Sequence, residues 1–263
     1  MIARQKKSSP RLDNGTAFAL AAGAGLLGGT MNALAGGGTF ATMPALIALG
    51  LPSPVANATS NVALQPGAIA SAWAYRAGLE PMGGISIRTL AAIAFAGGLA
   101  GALLLVATPM HVFDVIIPWL LLFATLALAF GRRASAALRA RITIGRKTLI
   151  TCQILLGIYG GYFGGGVSLM MTAAWGLLAG TEPHRMAAPR TLILATANAA
   201  AAAIFIFGGM VRWWLCLPML VGATTGGYFG ALVGRMLPPI AIRCWTLLMT
   251  AGTTAIFFWR AYH

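Results

Sequence analysis

The sequence predicts an all-α, polytopic helical membrane protein: two homologous halves in an inverted-repeat arrangement, with short broken helices. Three observations predict it. The chain is 59% hydrophobic and 8% charged, with a mean hydropathy of +0.82, whereas a soluble domain carries about a quarter charged residues. So few charges cannot coat a water-facing surface. The apolar runs at 90–106, 116–130, 192–207 and 245–259 are continuous, which selects helices over the alternating strands of a barrel. Finally, the chain repeats itself. Gly36-Gly37-Gly38 recurs as Gly164-Gly165-Gly166 after 128 residues. Gly97-Gly98-Leu99-Ala100-Gly101 recurs as Gly226-Gly227-Tyr228-Phe229-Gly230 after 129, an offset kept by Pro109 and Pro238. In an apolar chain a duplicated half is a common plan of secondary transporters, with the substrate site where the halves meet.

Taken in order, residues 1–15 form a basic tail carrying Arg4, Lys6, Lys7 and Arg11. Residues 16–130 form the first membrane repeat, 131–147 a basic cytoplasmic linker, and 148–263 the second repeat. The first segment, 16–34, imitates a secretory leader, with Ala33-Leu34-Ala35 in place of a cleavage site. The triple glycine follows directly, however, and its copy is preceded by an apolar run at 149–159, so this segment is read as part of the repeat. The second segment, 39–50, has twelve residues, about 18 Å of helix against a hydrocarbon core of about 30 Å. It reads as a half-helix that stops inside the protein. Segments 55–76, 85–107 and 112–130 complete the half, and the copies fall near 148–163, 167–179, 190–209, 213–234 and 241–259. A triple glycine precedes both short segments and lets the backbone leave the helix there.

Orientation follows from Lys and Arg. The linker holds Arg132, Arg133, Arg139, Arg141, Arg146 and Lys147 without an acid, which places it in the cytoplasm. Counting outward, Arg76, Arg88, Arg185, Arg190, Arg235 and Arg243 fall on the same side. The turns at 50–54 and 108–111, without Lys or Arg, fall outside. Five segments per half invert the second half relative to the first. The same parity puts the basic tail outside, against the rule, unless the first two segments together cross once; the sequence leaves both open.

Two constellations point to a substrate site. Each triple glycine opens a short helix that begins Thr39-Phe40 or Val167-Ser168. A helix start presents free N–H groups and the positive end of a dipole, which suits an anion. Irregular backbone at membrane depth is tolerated where protein or a water-filled cavity covers it. The candidates here are Gly36, Gly37, Gly38 and Thr39 with Gly164, Gly165, Gly166 and Ser168. The second constellation is polar: Asn57, Thr59, Ser60, Asn61 and Gln65 in the third segment, with Arg190, Thr191, Thr196 and Asn198 in its counterpart and Asn32 one turn before the first break. Neutral donors plus a single guanidinium suit an oxyanion that must be released again. From these the expected substrate-binding set includes Asn32, Asn57, Thr59, Ser60, Arg190 and Asn198. The competing readings are close helix packing for the glycines, interhelical hydrogen bonding for the polar groups, and a topological anchor for Arg190. For Gly97, Gly101, Gly226 and Gly230 packing is the preferred reading.

Other function classes are excluded. The net charge of +14 invites a nucleic-acid reading, but the basic residues sit at the ends of apolar runs without aromatic interleaving. Cys152, Cys216 and Cys244 are far apart and read as small buried hydrophobes. The only acids are Asp13, Glu80, Asp114 and Glu182, all in loops or at segment ends. No carboxylate relay for protons or sodium is therefore expected, and no metal or cofactor. No enzyme is expected either: Ser168 lacks a histidine at similar depth, since His111, His184 and His263 all sit at segment ends. Without a carboxylate carrier, the membrane potential is the simplest drive. It supplies about 2.3 kcal/mol per charge per 100 mV and favours anions leaving the cell.

The run Gly28-Gly29-Thr30-Met31-Asn32-Ala33-Leu34-Ala35-Gly36-Gly37-Gly38, followed by Met43-Pro44-Ala45-Leu46, Gly50 and Ala56-Asn57-Ala58-Thr59-Ser60, resembles the sulfite exporter TauE/SafE family. Gly160-Gly161-Tyr162-Phe163-Gly164-Gly165-Gly166 adds to it in the second half. The resemblance covers roughly residues 16–258. It implies a multi-pass permease of the bacterial inner membrane that exports sulfite, sulfoacetate, other organosulfonates or related small anions. The expected partners are a small anionic substrate and the lipid bilayer; a homodimer is compatible with this reading, and nucleic acid is not. A transporter of another small solute, including an importer, is the alternative.

Overall fold

The structure, a computed structural model, describes residues 13–139, 145–178, 183–234 and 236–262. The basic tail up to residue 12, the linker residues 140–144, Glu182, Arg235 and His263 lie outside them. The described residues form ten α-helices: α1 (Asn14–Ala35), α2 (Thr39–Ala48), α3 (Ser53–Ala74), α4 (Ile87–Ala107), α5 (Met110–Arg139), α6 (Arg146–Tyr162), α7 (Val167–Leu178), α8 (Pro183–Phe207), α9 (Trp213–Gly234) and α10 (Pro239–Tyr262). Five therefore stand on each side of the linker, close to the expected segments. Helix α5 runs nine residues past the expected end at 130, because Ala134, Ala136, Ala137 and Leu138 favour helix and no glycine or proline follows Gly131 before residue 140.

Six of these helices, α1, α4, α5, α8, α9 and α10, contain stretches long and apolar enough to cross a membrane. The chain is a multi-pass membrane protein. Helix α3 is as long as α1 but carries Asn57, Thr59, Ser60, Asn61 and Gln65, all buried. It sits inside the bundle, where neighbouring helices rather than lipid meet its polar groups. With ten and twelve residues, α2 and α7 reach about 15 and 18 Å, too short to cross a core of about 30 Å.

Small residues bring the long helices together. Gly25 and Gly29 of α1 face Met219 and Ala223 of α9, while Gly222, Gly226 and Gly230 face Ala22, Leu26 and Thr30. A Cβ on Gly226 would stand 2.0 Å from the Leu26 carbonyl oxygen, so the two backbones touch. Both number series rise together, so α1 and α9 run in the same direction. Helices α4 and α6 do likewise through Gly97, Gly101 and Gly157; a Cβ on Gly101 would stand 2.0 Å from the Ile158 oxygen. In lipid, where tails are as apolar as side chains, such close approach is a main source of helix attraction. The packing reading of Gly97, Gly101, Gly226 and Gly230 is what the structure displays.

The pairing is reciprocal. The first helix of each half lies on the fourth of the other, α3 lies on α8, and α5 lies on α10. Between α5 and α10 the hydroxyls of Thr125 and Thr254 lie 3.2 Å apart, at the same 129-residue offset as the glycine landmarks. Helix α2 doubles back beside α1, with Gly28 against Thr42, and Thr42 shares a hydrogen bond with Ser60 of α3. The α1–α2 pair thus turns back toward the face on which it began. It does not cross once between its ends, and α1 starts on the face opposite the linker.

Candidate functional site

The two glycine breaks have the same first residue geometry. Gly36 and Gly164 adopt φ of 79° and 74°, the left-handed region that glycine occupies without steric cost. The Gly36 amide donates to the Met31 oxygen at 3.2 Å and the Gly164 amide to the Tyr159 oxygen at 3.3 Å. Each bond reaches back five residues and closes the preceding helix. Beyond the breaks, the backbone N–H groups of Gly38 and Thr39, and of Val167 and Ser168, donate to no protein group among the described residues. Helices α2 and α7 therefore both begin with unspent donors.

The breaks meet. A Cβ on Gly36 would lie 2.4 Å from the Ser168 Cβ, so the end of α1 rests on the first turn of α7. A Cβ on Gly166 would lie 3.4 Å from the ring of Phe40, so the second break rests on the first turn of α2. Phe40 and Ser168 are 128 residues apart, the offset of the triple glycines. One half thus puts a buried ring at this contact and the other a hydroxyl.

Beside the hydroxyl lies a cavity of about 60 Å³. Asn32 of α1 and Gly36 just after it, Ser71 and Tyr75 at the end of α3, Ser168 of α7, and Arg190 and Thr191 of α8 line it. Four of the expected site residues, Asn32, Gly36, Ser168 and Arg190, are thereby brought to one space. No carboxylate lines it among the described residues. One Arg190 Nη donates to Thr172 Oγ1 at 2.9 Å, and its Nε has no partner. Arg190 also lines a second, larger cavity of about 320 Å³, with Thr172, Arg243 and Thr246 among its walls. This cavity lies at the end of α5 and the start of α10, on the linker side. Arg243 donates there to the Ala129 oxygen at 2.8 Å. A single guanidinium thus stands between an inner polar space and an outer vestibule.

The other expected residues are placed elsewhere. Asn57 Nδ2 donates to the Tyr162 oxygen at 3.1 Å, Thr59 Oγ1 accepts from the Arg212 amide at 3.1 Å, and Ser60 pairs with Thr42. These three hold α3 to its neighbours. Asn61 and Asn198 flank Gly164, with Asn61 Nδ2 and Asn198 Oδ1 lying 3.5 and 3.9 Å from where its Cβ would be, and neither Oδ1 has a partner. Gly38 packs on Gly28, and Gly37 has no neighbour closer than 3.6 Å to its Cβ position. Thr39 is buried at the head of α2. The Gly165 oxygen accepts from the Tyr159 hydroxyl at 2.8 Å.

Ser71, Tyr75, Thr172, Arg243 and Thr246 were not among the expected site residues. Ser71 and Tyr75 fall one turn apart at the end of a segment, which is the signal available in sequence; nothing local marks Thr172 or Thr246.

Residues 21–257 match the family described as Sulfite exporter TauE/SafE. A protein of Haemophilus influenzae named "Probable membrane transporter protein" is 27% identical over 88% of this chain and 90% of its own length. "Probable membrane transporter protein YfcA" of Escherichia coli is 29% identical over 78% of this chain and 76% of its own. "Probable membrane transporter protein ORF9" of a Sinorhizobium species is 28% identical over 79% of each. No solved structure matches the chain.

Proposed function

The chain belongs to the sulfite exporter TauE/SafE family, a family of membrane transporters, and we propose that it is a permease for small oxyanions that exports sulfite or organosulfonates across the inner membrane. One observation carries the reading. The cavity beside the head of α7, a helix start with unspent N–H groups, is lined by the Ser168 hydroxyl, the Asn32 amide and the Arg190 guanidinium, with no acid among the described residues of its wall. A charged donor and a helix start bind oxyanions by charge-assisted hydrogen bonds. The cavity's small volume favours a compact anion. The vestibule beyond Arg190 supplies a path from the linker side, with Arg243 as a second cation along it.

We read the two halves as an inverted repeat with the site at their crossing. The opposed directions of α1 and α6, the reciprocal pairing and the Thr125–Thr254 contact support this. Transport then exchanges which face reaches the crossed breaks, driven by the membrane potential.

The alternative, a small neutral solute, draws on the unpaired amide oxygens of Asn57, Asn61, Gln65 and Asn198, which would accept from a donor-rich molecule. The deciding experiment is flux from proteoliposomes loaded with sulfite or sulfoacetate under an imposed potential. Potential-dependent efflux of either anion is expected. Silence with both, in well-inserted protein, would discard the anion reading and turn attention to neutral solutes.

A further inference from the structure

A third cavity, of about 270 Å³, opens at the end of the bundle opposite the linker, where α3 and α5 begin and α10 ends. Ser53, His111, Asp114, Phe257 and Arg260 are in its wall. It is the repeat-related counterpart of the vestibule on the linker side. Asp114 and Arg243 stand 129 residues apart and line the two cavities, as do Leu128 and Phe257.

Three features make it a site rather than a gap. Ser53 is the first residue of the 22-residue α3 and only 1% exposed, and its Oγ has no partner. The head of α3 follows Pro52 and carries no side-chain cap; Pro54 has no N–H, so the orphan donors there are the amides of Ser53 and Val55, at the positive end of the helix dipole. Arg260 lines the same space without an ion pair to Asp114; the described ion pair of the chain, Arg185 with Glu80 at 3.8 Å, is elsewhere. A buried unpaired hydroxyl, an uncapped helix start and an unpaired guanidinium share one ligand chemistry, that of an oxyanion.

We propose that this cavity is a second, weaker oxyanion site, the exit station on the face away from the linker, in which Arg260, Ser53 and the head of α3 hold the anion and Asp114 loosens it. Among the described residues the carboxylate has no equivalent at the cavity beside Ser168. Its repulsion lowers affinity where an exported anion must leave. The proposal rests on the oxyanion reading for the identity of the ligand, but its position is independent of Arg190.

The test separates the two. Full-length protein carrying Arg190→Ala is titrated with sodium sulfite against sodium gluconate at constant ionic strength. The readout is the tryptophan fluorescence of Trp259, adjacent to Arg260, and Trp119, which donates to the Tyr262 hydroxyl at 2.9 Å. Saturable binding is expected to persist. Adding Arg260→Gln should weaken it about tenfold or more, and adding Asp114→Asn should tighten it about threefold, as loss of a charge-assisted contact and of a like charge require. Ser53→Ala, which keeps both charges, should weaken it less than Arg260→Gln. No sulfite-specific binding in the Arg190→Ala protein, or binding indifferent to Arg260→Gln and Asp114→Asn, overturns the exit site. If binding survives while wild-type proteoliposomes show no flux, the second oxyanion site stands, and its role as an exit station falls with the transport reading. Arg260→Lys guards against misfolding; it should bind between the wild type and Arg260→Gln.

Discussion

The heads of α2 and α7 follow matching triple glycines and differ in what surrounds them. Both follow a triple glycine, both begin with unspent N–H groups, and each rests on the break of the other half. At the head of α2 the contact is filled by Phe40, 1% exposed, and the polar groups nearby, Asn57, Thr59 and Ser60, are bonded to neighbouring helices. At the head of α7 the same place holds Ser168, and a cavity with Arg190 opens beside it. The 129-residue offset equates Arg190 with Asn61, and the structure puts each beside the opposite break, Arg190 with Gly36 and Asn61 with Gly164. Of the two helix starts, one stands beside a guanidinium, a hydroxyl and a cavity, and the other beside a buried ring and an amide.

The comparison is broken most sharply at Arg190 and its counterpart Asn61. Arg190→Ala should cost about 2–5 kcal/mol of anion interaction, thirtyfold or more in transport affinity, measured as the half-saturating sulfite concentration in proteoliposomes. Asn61→Ala should shift it severalfold at most, and Arg88→Ala, at the linker-side start of α4, should leave it near wild type. Equal effects of Arg190→Ala and Arg88→Ala would reduce Arg190 to a topological anchor. The ring gives the next effect. Phe40→Ala should destabilise the fold by about 3–5 kcal/mol, read by thermal unfolding in detergent. Ser168→Ala should leave unfolding unchanged and weaken anion affinity.

The breaks themselves give a smaller contrast. Gly36→Ala forces a left-handed φ on alanine and a clash with Ser168, at about 1–3 kcal/mol, whereas Gly37→Ala meets no atom closer than 3.6 Å and should insert and fold as the wild type does. A bulky side chain at Gly37 or Gly165 should still abolish flux without preventing membrane insertion. The smallest effect belongs to the symmetry contact. Thr125→Val and Thr254→Val should each cost about 0.6 kcal/mol, the average of interhelical hydrogen bonds in membranes, and the double substitution no more than their sum.

Much of this was legible in the residues. Apolar run length and the triple glycines predicted the helices, and the shortness of 39–50 and 167–179 marked the half-helices, because length against bilayer thickness is a local property. Asn32, Gly36, Ser168 and Arg190 were legible as a group because each is polar or breaks a helix where lipid forbids it. What the cavity adds from afar was not. Ser71 and Tyr75 reach it only because α3 lies on α8, and Arg243 lines the vestibule only because α10 packs on α5. Asn57, Thr59 and Ser60 look like site residues in sequence for the same reason they hold α3 in place: a buried polar group must be bonded, and only the packing says to whom. The contrast between the ring and the hydroxyl was within reach, since the 128-residue offset already sets Phe40 against Ser168.

The measurement closest to the central claim is thiol labelling in a protein whose Cys152, Cys216 and Cys244 are replaced by serine or alanine. Ser168→Cys and Phe40→Cys are each exposed to a small methanethiosulfonate from the linker side, with and without sulfite. Ser168→Cys is expected to react and to be protected by sulfite, while Phe40→Cys is expected to react slowly and to be indifferent to it. Protection at Phe40→Cys, or none at Ser168→Cys, would contradict the assignment of the anion to the head of α7.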